Sequence, residues 1–296
     1  MSSLTYAQLP DRGVISVTGP DSRTFLQGII SNDITQVTTE TAIYAALLTP
    51  QGKYLFDFFI SQSGDTLLIE CEKDRIAELM KRLRIYKLRA DANLTDVSDI
   101  YAVFAIWGDG ALKAVGLAEA PGNAQETAGG TQIIDPRLAA AGVRAVLPLA
   151  NTEPHLASIG ATAGTLSDYD LHRLKLGLPD ASRDLIIDKS TLVESGFDEL
   201  HGIDWNKGCY MGQELTARTK YRGLVKKRLV PVTIEGVAPA PGATILAGDK
   251  NAGEMRSSNG HYGLAILRLE YLEDKTVNLI CEQASLRPTR PEWANF

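Results

Sequence analysis

Cysteine is scarce in this 296-residue chain: Cys71, Cys209 and Cys281 stand far apart, with no CxxC pair. The histidines, His155, His172, His201 and His261, are scattered as well. These absences argue against a zinc or iron–sulfur site built from this chain alone. An odd number of distant thiols fits a reducing setting, and a cytoplasmic location is the expectation. Long apolar runs are also missing. Residues 42–48 and 55–60 are the longest, too short or too interrupted to cross a bilayer, so no membrane partner is expected. The N-terminus, Met1-Ser2-Ser3-Leu4-Thr5-Tyr6, has no basic segment followed by an apolar one, and no secretory signal is expected. Positive charge is the minority sign, 30 Lys and Arg against 36 Asp and Glu, for a net charge of −6. Such a balance disfavours a general nucleic-acid coat while leaving local basic patches available.

What is present reads as a soluble α+β protein. The length exceeds one comfortable core, so two or three packed units are expected. Arg12–Thr18 alternates like a strand and ends at Gly19-Pro20. Asp21 or Ser22 can then cap a short helix carrying Phe25, Leu26, Ile29 and Ile30. Residues 42–49 and 54–60 are β-rich and joined by Pro50-Gln51-Gly52-Lys53, a hairpin turn. Residues 66–70 add a strand, and Ile76, Leu79, Met80 and Leu83 follow one helix face. The segment 108–131 is rich in Gly, Ala and small polar residues and reads as a loop or a connection. Strands resume at 131–134 and 144–149, followed by a helix at 167–176. After Lys226, short β runs at 228–234, 243–246, 263–268 and 276–282 suggest a small barrel. The expected division is two interleaved α+β units over 1–225 and a C-terminal β-barrel over 226–296.

The stretch richest in chemistry is 202–218. It joins Cys209 to a preceding glycine, to Lys207 two residues before it, and to a helix-forming run that starts near Gly212. A thiol at a helix N-terminus feels the positive end of the dipole, and a neighbouring lysine favours the thiolate further. A lone cysteine more often fills a small apolar gap, but polar and glycine neighbours set Cys209 apart. A hydrolase elbow is excluded, because it places glycines two residues before and two after the nucleophile. Here they fall one before and three after.

Lys207-Gly208-Cys209-Tyr210-Met211-Gly212-Gln213-Glu214 resembles the signature of YgfZ-type folate-binding proteins. Their mitochondrial relatives assist iron–sulfur cluster assembly, and both are similar to the glycine-cleavage T-protein, an aminomethyltransferase. The resemblance extends to residues 19–28 with Ser31-Asn32-Asp33, to residues 48–53 with Asp57, to residues 83–89, and to Asp135-Pro136-Arg137. It implies a three-unit ring of antiparallel sheets with helices, closed by the C-terminal barrel, with tetrahydrofolate or a one-carbon-substituted form as cofactor. Cys209 and Lys207 are then the reactive pair, and Glu194, Asp57, Tyr210, Gln213, Arg218 and Arg222 the folate-binding set. A carboxylate such as Glu194 can grip a pterin's donor edge with two hydrogen bonds. Phe56-Asp57 stands where T-proteins carry paired acids, a departure from the aminomethyl-transfer pattern.

The leading reading is a folate-dependent factor that assembles or repairs iron–sulfur enzymes, with those enzymes or cluster carriers as partners. A folate-dependent aminomethyltransferase-like enzyme is the alternative, and a protein associated with tRNA modification is the third. Two basic clusters bear on partners: Lys81, Arg82, Arg84, Lys87 and Arg89 form one; Arg218, Lys220, Arg222, Lys226, Lys227 and Arg228 form the other. Either could attract the glutamate tail of folate, an acidic protein or tRNA phosphates, or be a solvated face.

Overall fold

The computed structural model describes residues 4–223, 225–274 and 276–296; Met1, Ser2 and Ser3, where a leader would begin, lie outside the described residues. Packing divides the chain into two units. Unit 1 takes the chain up to Leu48, then Leu55–Tyr169 and Leu200–Met211; unit 2 takes Thr49–Tyr54, Asp170–Glu199 and Gly212–Phe296.

The chain runs β1 (Thr5–Gln8), β2 (Arg12–Thr18), α1 (Ser22–Gln27), β3 (Ile43–Leu48), β4 (Tyr54–Ser63), β5 (Thr66–Glu72) and α2 (Ile76–Lys87). There follow β6 (Asn93–Asp96), β7 (Tyr101–Trp107), α3 (Ala111–Ala114), β8 (Ala124–Thr127), β9 (Gly130–Ile134) and β10 (Val143–Pro148). Next come α4 (Thr152–Ser158), β11 (Thr162–Ala163), α5 (Leu166–Leu176), α6 (Ala181–Asp184) and α7 (Gln213–Tyr221). The remainder is β12 (Lys227–Glu235), β13 (Thr244–Ala247), β14 (Lys250–Asn259), β15 (Tyr262–Arg268), α8 (Glu270–Glu273), β16 (Leu279–Cys281) and β17 (Ala284–Pro288).

Unit 1 holds two sheets, one ordered β3-β4-β5-β2-β6 and the other β11-β1-β7-β10-β9-β8. Apolar residues of the first, Val14 and Leu68, pack against Val103, Ala105 and Val146 of the second. Beside this core lies a buried ionic cluster that ties the sheets together. Arg12 on β2 donates Nε to Glu70 Oε1 at 2.8 Å, and Arg144 on β10 donates Nε to Glu70 Oε2 at 2.9 Å. Burial alone would raise the Glu70 carboxyl, but the two guanidiniums outweigh it and hold it below its ordinary value. The Arg144 guanidinium also lies 4.1 Å from the Phe59 ring centre.

Helix α2 forms as its apolar spacing predicts: Ile76, Leu79, Met80 and Leu83 are buried against β2 and β6. Helix α1 is shorter than expected. It stops at Gln27, and Ile30 lies beyond it in a bridge to Leu47. The stretch read as a loop over 108–131 instead carries α3 and the edge strand β8, which pairs with β9 across the turn Thr127-Ala128-Gly129-Gly130. Gly129 and Gly130 mark the hairpin turn, and Gly110 caps α3.

Unit 2 contains a closed six-stranded barrel, β12-β15-β14-β13-β16-β17, filled by Val230, Val232, Ile245, Met255, Leu267 and Leu286 among others. Gly52 sits in the turn between β3 and β4 at φ +77°, and a Cβ there would stand 2.6 Å from Leu215 Cβ and 2.7 Å from Gly212 O. Both the dihedral and the space exclude a side chain. Among the described residues no helix is long and apolar enough to cross a membrane.

Candidate functional site

Cys209 rides on a loop that unit 1 holds from several sides. Ser31 Oγ donates to Gly202 O at 2.6 Å, and Asn32 Nδ2 donates to His201 O at 2.7 Å and Tyr44 O at 2.8 Å. Asp204 Oδ1 accepts the Asn206 and Lys207 amides, and Met211 N reaches Gly28 O. Lys207 completes the clamp. Its Nζ donates to the carbonyls of Gln27, Ile30 and Asn32 at 2.9, 2.7 and 2.7 Å. Burial pulls this ammonium down to about 8, against the opposing pull of Asp33 and Asp204. All three ammonium donors are thus committed to the main chain of 27–32. Two residues from the thiol in sequence, Lys207 is the anchor of the thiol's loop.

Cys209 itself is exposed, whereas Cys71 and Cys281 are buried. Burial pushes the Cys71 thiol up to about 12 and the Cys281 thiol up to about 11. Helix α7 starts four residues after Cys209, behind the cap Gly212 at φ +81°. The thiol therefore lies outside the first turn, where the dipole argument needed it. A Cβ on Gly208 would meet nothing within 4 Å, so the fold itself does not demand a glycine beside the thiol.

The Ser31-Asn32-Asp33 motif thus acquires a physical role as a clamp on the 201–211 loop. Burial works to raise the Asp33 carboxyl, but hydrogen bonds from Thr35 and Gln27 and the charge of Lys207 leave it below its ordinary value. Tyr210 is buried, and the Lys207 Nζ lies 5.2 Å from its ring centre. Asp57 on β4 is buried too, and its Oδ2 accepts the Tyr44 hydroxyl at 2.9 Å. Tyr44 carries no signal in the sequence; that of Ser31 and Asn32 is the Ser-Asn-Asp tripeptide, visible as a resemblance but silent about what it holds.

Glu194 belongs to unit 2 and lines a cavity of about 220 Å³ there. Its Oε2 accepts the Thr191 hydroxyl at 2.9 Å. Lys189, Lys227, Arg256, Leu229 and Ile266 are among the other lining residues. Pockets that enclose whole drug-sized ligands run from roughly 300 Å³ upward. This cavity is smaller, with the Glu194 carboxylate and the apolar Leu229 and Ile266 in its lining. Gln213 and Arg218, on α7, and Arg222, just past it, do not line the cavity.

Ionic partners separate the two basic clusters. Arg228 is buried, its Nη1 3.2 Å from Asp198 and 3.4 Å from Glu199, and Lys220 pairs with Asp198 at 3.0 Å. Among the described residues no three His, Cys, Asp or Glu gather to hold a metal ion.

Residues 9–120 match the GCVT N-terminal domain family, and residues 226–296 match the CAF17 C-terminal beta-barrel domain family. The fold is similar to that of the glycine cleavage system aminomethyltransferase T from Bartonella henselae, with a TM-score of 0.79 at 14% identity over 99% of this chain and 87% of that one. In sequence, the iron-sulfur cluster assembly factor IBA57 of Mus musculus, a mitochondrial protein by name, is 33% identical over 91% of this chain and 79% of its own. The homolog of Neosartorya fischeri is 32% identical over 91% of this chain and 71% of its own. That of Mycosarcoma maydis is 33% identical over 82% of this chain, which spans only 60% of that relative's length. These relatives are named as mitochondrial, which overturns the cytoplasmic expectation. Unpaired thiols report a reducing environment and do not identify which compartment provides it. The relatives are IBA57 factors rather than YgfZ-type proteins as such. With this identity maintained over nine-tenths of its length, the chain belongs to the iron–sulfur cluster assembly factor IBA57 family.

Proposed function

We propose that this chain assists the assembly or repair of iron–sulfur proteins through Cys209, and that it binds tetrahydrofolate, or a one-carbon-substituted form, through Glu194. The observation that carries the first part is the contrast among the three thiols: Cys209 alone is exposed, while burial disfavours the thiolate at Cys71 and Cys281. A thiolate is a soft ligand suited to iron. One thiolate does not hold a cluster, so the cluster is shared cargo, with the other ligands supplied by an iron–sulfur enzyme or a carrier protein. The clamp around Lys207 fixes the position from which the thiol is offered, and the open space beside Gly208 leaves room for a partner to approach.

For folate, Glu194 would receive the donor edge of the pterin while Leu229 and Ile266 pack on its face. When bound, tetrahydrofolate supplies a carrier for one-carbon units. Tyr210, Gln213, Arg218, Arg222 and Asp57, expected in the folate-binding set, do not line this cavity, and the folate proposal rests on Glu194. An aminomethyltransferase is the second reading, and the shared fold favours it only as far as fold can. Against it, the Asp57 carboxylate is buried and engaged by Tyr44.

Two measurements test the proposal. Cys209→Ser should keep the thermal midpoint of the wild type yet fail to restore iron–sulfur enzyme activity in cells lacking the chain; restored activity removes the thiol from the mechanism. Titrating tetrahydrofolate calorimetrically should give saturable binding that Glu194→Gln weakens by roughly tenfold or more, the worth of a hydrogen bond to a charged group. Equal affinity for both proteins removes Glu194. Formation of methylene-tetrahydrofolate in the presence of an aminomethylated carrier would establish the transferase instead.

A further inference from the structure

The outer face of α2 has features that nothing inside the molecule rewards. Its inner face is fully used by Ile76, Leu79, Met80 and Leu83. On the other side, Lys81, Arg84, Ile85 and Leu88 follow the i, i+3, i+4, i+7 spacing of a second stripe. Ile85 is 57% exposed and Leu88 is 85% exposed. Leu88 is also the C-cap, at φ +50°. Glycine takes that conformation at lower cost than a leucine. A branched apolar residue that gains no burial, in a backbone conformation it disfavours, is explained by a contact outside the chain. Two hydrogen bonds close the turn around it: Ala90 N donates to Lys87 O at 2.9 Å, and Lys87 Nζ donates to Ala90 O at 2.6 Å.

Charge gives the chemistry of that contact. Residues 79–90 carry Lys81, Arg82, Arg84, Lys87 and Arg89 and no acid, in a chain of net charge −6. Among the described residues no carboxylate pairs with Lys81, Arg82, Arg84 or Arg89; the nearby Glu78 is taken by Arg75 at 2.9 Å. The helix dipole accounts for Arg84 and Lys87, in the last turn, and for neither Arg82 nor Arg89.

We infer that the exposed face of α2 is a docking surface for an acidic protein partner, with Ile85 and Leu88 as apolar anchors inside a ring of arginine and lysine. Arginines grip carboxylates bidentately, and arginine and tyrosine are each enriched at protein interfaces; Tyr86 lies in the same segment. RNA would use the cations and leave the aliphatic pair without a role. On an anionic bilayer the exposed acid Asp91, two residues beyond Arg89 in sequence, is unfavourable, whereas a protein partner can present its carboxylates to the cations alone. The inference stands whether or not Cys209 and Glu194 act as proposed, since none of its residues belongs to either site.

The test is direct binding by the full-length protein. The probe is a fluorescein-labelled helical peptide with leucines at i, i+3, i+4 and i+7 and glutamates elsewhere, beside a control with those leucines replaced by serine. The expected result is saturable, salt-sensitive binding of the leucine peptide. Ile85→Ser with Leu88→Ser should weaken it roughly tenfold or more, the loss of two aliphatic anchors, with an unchanged thermal midpoint. Arg84→Ala with Arg89→Ala should weaken both peptides. Three results overturn the inference: equal affinity of wild type and the Ile85/Leu88 variant, tighter binding to phosphatidylserine vesicles or to tRNA than to the peptide, or self-association that the same substitutions abolish.

Discussion

Unit 1 contains two groups of cationic side chains with opposite fates. Arg12 and Arg144 are buried against Glu70, Arg137 is buried against Asp135, and the group ties one sheet to the other. The cations of α2 have no such partner among the described residues. The basic segment running into β12 is intermediate, since Arg228 and Lys220 are matched by Asp198 and Glu199 while Arg218 and Arg222 are exposed. A count of basic residues along the chain does not distinguish these cases. What distinguishes them is whether a carboxylate from a distant segment arrives: Glu70 lies 58 residues from Arg12 and 74 from Arg144. Where it arrives, the charge belongs to stability; where it does not, the charge is left for partners.

The sharpest break of that contrast is Glu70→Gln. It removes the carboxylate that the buried Arg12 and Arg144 share, and breaking a buried ion group in this way costs about 3–5 kcal/mol. Chemical denaturation should show a loss of that size. The same residue sets a pH dependence. Because the folded state holds the Glu70 carboxyl below its ordinary value of 4.5, its contribution is fully present above pH 4.5 and is lost as the pH falls through the folded value. The wild type should therefore lose stability steeply below 4.5, and the variant should show a shallower acid limb. An equally steep limb in Glu70→Gln would assign the acid sensitivity to other carboxyls.

Arg228→Met probes the intermediate cluster. Asp198 and Glu199 lose a buried charged partner, for an expected loss of about 1.5–3 kcal/mol. A change as small as that of an exposed arginine would mean that Lys220 alone satisfies the carboxylates. Lys207→Met, a cation held by carbonyls rather than a carboxylate, should cost about 1–3 kcal/mol through three acceptors left without their donor. Hydrogen exchange should rise across 201–211, while iodoacetamide still alkylates Cys209, because the thiol is exposed in either case.

Much of this architecture was legible in the sequence because local pattern and burial agree. Arg12–Thr18 alternates and is β2; Ile76, Leu79, Met80 and Leu83 keep helical spacing and form the inner face of α2. Strand β14 was not legible. Its register shifts between Met255 and Ser258, and its buried positions include Arg256 and Ser257. The Ser257 amide donates to Asp184 Oδ1 at 3.1 Å, so a polar residue is buried without penalty and the apolar rhythm disappears. At the site, adjacency misled. Lys207 is two residues from Cys209, yet its ammonium is taken by carbonyls some 175 residues away in sequence. Which way a lysine turns depends on acceptors that only the folded chain assembles.

The smallest effect is the one that best isolates the open end of the comparison. Arg84→Ala should change stability by no more than about 0.5 kcal/mol, since the side chain is exposed and pairs with nothing described. Leu88→Gly should go further and stabilise the fold, by about 1 kcal/mol, because glycine accepts a positive φ that leucine resists. The gain is offset in part by the greater freedom of glycine in the unfolded chain. A buried apolar residue would behave in the opposite way, losing stability on truncation. Denaturation of Leu88→Gly beside Leu83→Ala, one turn earlier on the inner face, therefore reads the two faces of a single helix with opposite signs. A loss of stability in both would show that Leu88 has a packing role within the chain and would close the outer face of α2 as a surface kept free for another protein.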